Sequence, residues 1–221
     1  MLATVNHQID LSLFDEAQGI LNEPDLELRK IVLHLAEKSV GNPIDSFVEL
    51  YLACYTPEEA KARGAIFTPS WLAKRIVGDT LDHWRRIHRQ GQMPRIVADV
   101  SCGIGAFLMP SRDYFGAGVK VVGVDCDPLC IAFASLLNRA LKHKWELSCH
   151  DPLLEVASRY TLFDETTPFP SDGFDILVGN PPYVRAQALE ASYRHKLRLA
   201  YPEITKGNFD LVVLFLEHSQ P

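Results

Sequence analysis

The stretch IVADVSCGIGAFL, Ile96 to Leu108, decides the fold. Ile96-Val97-Ala98-Asp99-Val100 is a short apolar, β-branched run that reads as a buried strand. Gly103 and Gly105 follow at once, and a helical pattern opens after them. Glycines at such a turn let the chain bend tightly and let a ligand approach the backbone. On its own a strand followed by Gly-x-Gly is a weak signal, read equally well as a plain strand–helix turn. Asp125 strengthens it. This acid stands at the end of the next strand, in Gly123-Val124-Asp125-Cys126-Asp127-Pro128. An acid there can accept hydrogen bonds from both hydroxyls of a ribose, so a nucleoside-containing cofactor is implied. A turn built for a pyrophosphate wants a third glycine, and Leu108 occupies that place. Bulky Phe107-Leu108 suits a cofactor with a ribose and an adenine but no phosphate, and S-adenosylmethionine fits.

Outward from this turn the texture is that of an α/β chain. Val119 to Val124, Trp145 to Cys149 and Phe174 to Val178 read as strands, and Pro128 to about His143 as a helix. Strand–helix alternation predicts a parallel sheet with helices on both faces. Glu190 to Ala200 and Leu211 to His218 are helical in pattern. Upstream, residues 1 to 92 read as a helical region. Leu26, Leu28, Ile31, Val32, Leu35 and Ala36 recur at helical spacing, Ile44 to Tyr55 starts after Gly41-Asn42-Pro43, and Thr56 to Glu59 is a capping box. Trp71 to about Arg89 follows Thr68-Pro69-Ser70. The expected organisation is therefore 1–92 helical and 93–221 a partial Rossmann-like domain of about four strands.

The chain has 221 residues, 47% hydrophobic and 23% charged, an ordinary globular balance. No apolar run is long enough to span a membrane, and a cytoplasmic location is expected. Five cysteines without a CxxC pair predict reduced thiols, and the spacing of Cys126, Cys130, Cys149 and His150 matches no zinc pattern. No metal is expected. The net charge of −6 means that any surface for nucleic acid must be local.

A second stretch, Ile176 to Arg185, reads ILVGNPPYVR. A strand stops at Gly179-Asn180, and two prolines and a tyrosine follow. In open α/β sheets this carboxyl edge is where ligands bind. An amine on an aromatic base is a poor nucleophile because its lone pair is delocalised. Acceptors around its N–H groups favour the geometry in which that lone pair attacks a methyl. The Asn180 side-chain oxygen is one such acceptor and the Pro181 carbonyl a second. Pro181 and Pro182 stiffen the loop and remove competing donors. Tyr183 offers a flat face for stacking.

With these motifs the sequence resembles the gamma class of N6-adenine DNA methyltransferases of restriction-modification systems, from about Gly64 to Glu217. The resemblance implies a Rossmann-like methyltransferase fold, S-adenosylmethionine as cofactor and double-stranded DNA as partner. Gly64 to Pro69 resembles the family's N-terminal cofactor motif, which places Phe67, Thr68 and Pro69 at the methionine part of the cofactor. Asp99, with Ser101, Cys102, Gly103 and Gly105, corresponds to the methionine-pocket motif. Asp125 matches the ribose-binding acid, with Cys126 beside it. Asp151 matches the acid that binds the cofactor's adenine amine, and Pro152 stands where an aromatic residue often flanks that adenine. Asn180, Pro181, Pro182 and Tyr183 match the target-adenine site, Asn180 also bordering the cofactor. Lys206 to Leu211 resembles a late segment that separates this family from other methyltransferases with the same four residues. The family's sheet has more strands than are counted here, followed by a recognition domain. The sequence therefore reads as the front part of a longer enzyme, or as one that a partner polypeptide completes. The rival readings are methylation of a protein glutamine or an RNA base, and a non-catalytic fragment. A nicotinamide oxidoreductase is disfavoured by the missing third glycine.

Residues 183 to 206 interleave Arg185, Arg194, His195, Lys196, Arg198 and Lys206 with Tyr183, Tyr193 and Tyr201. They read equally as a phosphate-tracking surface or as a solvated helix face.

Overall fold

The computed structural model describes residues 43–54, 56, 66–89, 91–154 and 173–218. Four parallel strands form one sheet: β1 (Ile96–Asp99), β2 (Lys120–Asp125), β3 (Trp145–Cys149) and β4 (Ile176–Leu177), in the order β3-β2-β1-β4. The α/β parallel-sheet expectation holds. Val97 pairs with Val121 on one side and Ile176 on the other, and Val121 pairs with Trp145. Residues in register share a face, and these four lie in one buried cluster.

The same cluster receives α1 (Pro43–Ala53), α2 (Ser70–Ile87), α3 (Leu108–Phe115) and α4 (Pro128–Ala140). Two helices that precede the sheet and two that connect its strands therefore stack on one face. On the other face Ala98, Val122 and Val124 are buried with Ile96 and Phe174 packed against them. The strands are thus apolar on both faces, as parallel strands are. A separate cluster joins Val100 and Leu153 to α5 (Ala191–Ala200) and α6 (Leu211–His218) through Leu197, Leu211, Leu214 and Phe215.

Each helix follows from its sequence. In α4 Asp127 is the N-cap, its side chain accepting from Leu129 N at 2.9 Å, with Pro128 in the first turn. Cys130, Phe133, Ala134 and Leu137 then face inward at helical spacing. The expected extension of α4 to His143 does not form. Asn138 turns its amide onto the backbone of Trp145, at 3.0 Å to both N and O, and Lys142 takes a φ of 54°. α2 likewise ends at Ile87 rather than Arg89. There His88 stacks on Trp84, whose indole donates to Gln92 O at 2.8 Å, and the chain turns back. β4 is shorter than Phe174 to Val178, because the Asp175 carboxylate accepts from the backbone N–H groups of Arg95 and Ile96 at 2.6 and 2.9 Å and closes that end. The helical pattern at 26–36 and the capping box after Thr56 lie outside the described residues.

Gly123, mid-strand in β2, tests this packing. A Cβ there would meet Leu108 Cδ1 at 2.6 Å and Leu147 Cδ2 at 2.9 Å. Gly123→Ala is expected to destabilise the chain by roughly 1–3 kcal/mol through overpacking. Gly118→Ala, with nothing within 4 Å, serves as the control. Urea unfolding midpoints at constant slope check both.

Candidate active site at the carboxyl edge of the sheet

The carboxyl ends of β1, β2 and β4 open onto a cavity of about 320 Å³. Its floor is the turn after β1. Gly103 has φ 53°, a conformation that disfavours a side chain, and the Phe67 ring packs where a Cβ would sit, 3.3 Å away. The Gly103 N–H donates to Asp125 Oδ2 at 2.8 Å, and the Asp127 N–H donates to Asp125 Oδ1 at 2.9 Å. Asp125 thus ties the glycine turn to the loop after β2. Burial raises its carboxyl above the usual range, against the pull of these N–H groups.

Asp99, the last residue of β1, is only 1% exposed. Its Oδ1 accepts from Ser101 N at 3.0 Å, while its Oδ2 is buried without a hydrogen-bond partner among the described residues. Burial pushes the Asp99 carboxyl up to about 7. The Ser101 N–H opposes the rise, and the Asp125 charge adds to it. Across from it lies Gly179, at the end of β4, where a Cβ would stand 2.4 Å from Asp99 Oδ1. Only glycine lets β4 pass this close to the carboxyl.

One residue on, Asn180 lines the cavity. Its Nδ2 donates to the Ile66 carbonyl at 3.3 Å, which leaves the side-chain oxygen as an acceptor. This bond joins the Ile66-Phe67-Thr68-Pro69 segment to the loop after β4, across 114 positions of sequence. The loop is anchored behind by an antiparallel bridge, Ala186 N to Phe209 O at 2.9 Å and Leu211 N to Val184 O at 3.0 Å.

The cavity wall brings together most of the residues singled out from sequence: Phe67, Thr68, Asp99, Ser101, Cys102, Gly103, Asp125, Cys126, Pro152, Asn180 and Pro182. The others stand off it. Pro69 caps α2. Gly105 packs against the Trp145 ring, 3.0 Å from where its Cβ would be. Asp151 turns its Oδ1 onto the N–H groups of Leu153 and Leu154, at 2.9 and 3.2 Å. It also holds the Tyr193 hydroxyl, whose pKa is pushed up by burial first and then by the Asp151 charge and hydrogen bond. Pro181 is half-buried, and Tyr183 is 56% exposed outside the lining.

Sequence reasoning missed Tyr51. This residue of α1 is 2% exposed and lines the cavity. Its hydroxyl donates to Asp127 Oδ2 at 2.7 Å, and its ring meets Phe67 edge-on at 5.1 Å. Phe215 of α6 and Cys130 of α4 also reach the wall. All three occupy apolar helical positions that read as core, and only tertiary placement distinguishes them.

Residues 120–220 match the family model described as Eco57I restriction-modification methylase. A type II methyltransferase, M.BanIII of Aneurinibacillus aneurinilyticus, is 29% identical over 164 residues, which cover 71% of this chain and 28% of the relative. Among solved structures, a class I S-adenosylmethionine-dependent methyltransferase from Listeria monocytogenes superposes with a TM-score of 0.52 at 17% identity, over 94% of this chain and 54% of that one. The modification subunit of a type I restriction enzyme from Vibrio vulnificus gives 0.54 at 14% identity, over 93% and 37%. The fold is that of class I methyltransferases. The chain spans little more than a quarter of its curated relative's length.

Asp99 makes the stability of the unliganded chain depend on pH. Its folded pKa of about 7 lies above its usual 3.8, so between those values the folded state holds a proton that the unfolded state has lost. Stability contributed by this group is therefore expected to fall as pH rises from about 4 to 7, then to level off. Asp99→Asn should flatten that part of the profile, read from thermal midpoints across pH.

Proposed function

From a segment that matches restriction-modification methylases, we propose that this chain is the catalytic part of a DNA methyltransferase. It transfers a methyl group from S-adenosylmethionine to the N6 amine of an adenine flipped out of duplex DNA. The observation that carries this reading is one cavity lined both by Asp99, whose Oδ2 has no hydrogen-bond partner among the described residues, and by the Asn180 amide. A buried acceptor without a partner is costly unless a ligand donor reaches it. The cofactor's ammonium is such a donor, so the residues fit the group. When bound, S-adenosylmethionine supplies a methyl activated by its sulfonium.

The chain's own residues supply position. Asp99 takes the ammonium. Asp125, already tied to the turn by Gly103, takes the ribose hydroxyls with its remaining lone pairs. Phe67 and Thr68 close the methionine side, and Cys126 and Pro152 border the nucleoside side. The Asn180 oxygen and the Pro181 carbonyl accept from the target amine and favour the geometry from which its lone pair attacks. Tyr183, the open ring at the entrance, stacks on the target base. Preorganised acceptors and alignment carry the rate. Asn180 to Tyr183 contain no strong base, and the proton released by the amine leaves through these acceptors to water.

Sequence specificity, on this reading, comes from a recognition module in further sequence or in a partner polypeptide. The relatives matched are longer than this chain. No helix among the described residues is long and apolar enough to cross a membrane, and a cytoplasmic enzyme acting on DNA is the proposal consistent with that.

Calorimetric titration with S-adenosylmethionine tests the pocket. Binding is expected, tightening as pH rises through 7 because the ionised Asp99 pairs with the ammonium. Asp125→Ala should weaken it at least tenfold. Asn180→Ala should lose methyl transfer at saturating cofactor by two orders of magnitude or more, about 3 kcal/mol of barrier, on top of any loss of cofactor affinity. Mass analysis of the product separates N6-methyladenine from a methylated glutamine or RNA base, and either of the latter overturns the substrate assignment.

A further inference from the structure

The helix α5 follows the loop that carries Asn180 to Tyr183 and bonds back to it at Ala186, and its two sides differ. Leu197 is fully buried, Tyr193 and Tyr201 are half-buried, and the Tyr201 hydroxyl donates to Leu153 O at 2.7 Å. These three positions, four residues apart, pin one face of the helix onto the loop after β3. Tyr193 and Tyr201 are thereby withdrawn from stacking on a nucleic acid, and of the three interleaved tyrosines Tyr183 alone is exposed. The other side carries the cations. Arg194 Nη1 donates to Ala186 O at 3.1 Å, which sets its guanidinium beside the backbone of Arg185. Arg198 is one turn further along the same side and exposed.

Among the described residues this stretch is mostly positive, with Lys196 alone near the Glu190 charge. Between Tyr183 and Tyr201 stand four lysines and arginines and one acid, Glu190. Glu190 is committed as the cap of α5, accepting from Ser192 N at 3.4 Å. Among the described residues Arg185 and Arg198 meet no carboxylate, and Arg194 meets a carbonyl. Asp210 is paired with Arg185 in the antiparallel bridge, yet its carboxylate accepts from Val212 N at 3.3 Å. A solvated helix face ordinarily sets acids four residues from its cations, and like charges at that spacing destabilise the helix by a few tenths of a kcal/mol. Here Arg194 and Arg198 hold that spacing with no acid inside the helix, in a chain of net charge −6. The Arg185 backbone is rigid, held on either side by the bonds of Val184 and Ala186 to Leu211 and Phe209.

We propose that Arg185, Arg194 and Arg198 form a ridge that grips the phosphodiester backbone flanking the flipped base, two residues from the stacking ring of Tyr183. This assignment rests on the functional reading above and adds to it the surface by which the strand is held. Arg185 is the member nearest the base, and Arg198 takes a phosphate further along. Guanidinium forks suit phosphate oxygens better than a diffuse positive field does.

The test is salt-dependent binding of the full chain to a short mixed-sequence DNA duplex, alongside the cofactor titration. Each phosphate that is no longer gripped should lower the slope of log affinity against log salt by about 0.9. Arg185→Ala and Arg198→Ala are each expected to do so, the double variant by about twice as much, with cofactor affinity unchanged. Arg185→Lys should keep the slope. Arg85→Ala, at the far end of α2 and paired with Asp82 at 3.7 Å, should change nothing. Unaltered slopes in both arginine variants, or a wild-type chain that binds cofactor yet no duplex even at low salt, overturn the ridge. A chain that binds duplex through these arginines but no cofactor overturns the functional reading and leaves the ridge standing.

Discussion

A carboxyl group shut away from water at the end of the central strand sets the terms for this molecule. Asp99 has one oxygen satisfied by the turn that follows it and one left bare. Burying such a group costs folding free energy, so the surrounding elements must be arranged to hold it. Ser101 begins the glycine turn, Asp125 fastens that turn to β2, and Gly179 lets β4 run against the carboxyl from the other side. Three strand ends are thus brought to one point by the needs of one acid. The cavity is the space they leave. A fold that optimised only its core would place an apolar residue here.

The two clusters of helices divide the work on either side of that point. The larger cluster, with α1 to α4, sits against the sheet and carries Tyr51 and Phe67 to the wall. The smaller one, with α5 and α6, grips the loop after β4 from behind and brings Phe215 to the same wall. Asp99 and Val100 are adjacent in sequence, but Val100 belongs to the second cluster. The chain passes between its two cores at residues that line the cavity.

Much of this is legible in the sequence because it depends on near neighbours. Periodicity marks β1 to β3, α5 and α6, since each is decided by alternation or helical spacing within a few residues. Asp99, Gly103, Asp125 and Asn180 stand out because the end of a parallel strand is a position defined by the strand itself. What escapes depends on partners far along the chain. Asp151 reads as a ligand-binding acid, and its bonds from the N–H groups of Leu153 and Leu154 and to the Tyr193 hydroxyl are not visible in the sequence. Gly105 reads as an opening for a ligand, and the Trp145 ring beside it, which also requires a glycine there, is not visible in the sequence. Tyr51 looks like core, and becomes part of the wall only because Asp127 arrives beside it. Helix ends escape for a related reason. Asn138 reaches forward to Trp145, a side-chain choice that propensity does not record.

The Tyr51–Asp127 hydrogen bond joins residues 76 positions apart, and the Asn180–Ile66 bond joins residues 114 apart. During synthesis Tyr51 and Ile66 emerge long before the groups that they must meet. The pocket is therefore expected to close last. Helices and the first strand pairs form from shorter-range contacts, while the wall waits for the loop after β4 to leave the ribosome and dock. A nascent chain halted before Asn180 has its glycine turn and the Asp125 carboxylate that fastens it, but no finished chamber. The chamber is, for this protein, a late event in its own making.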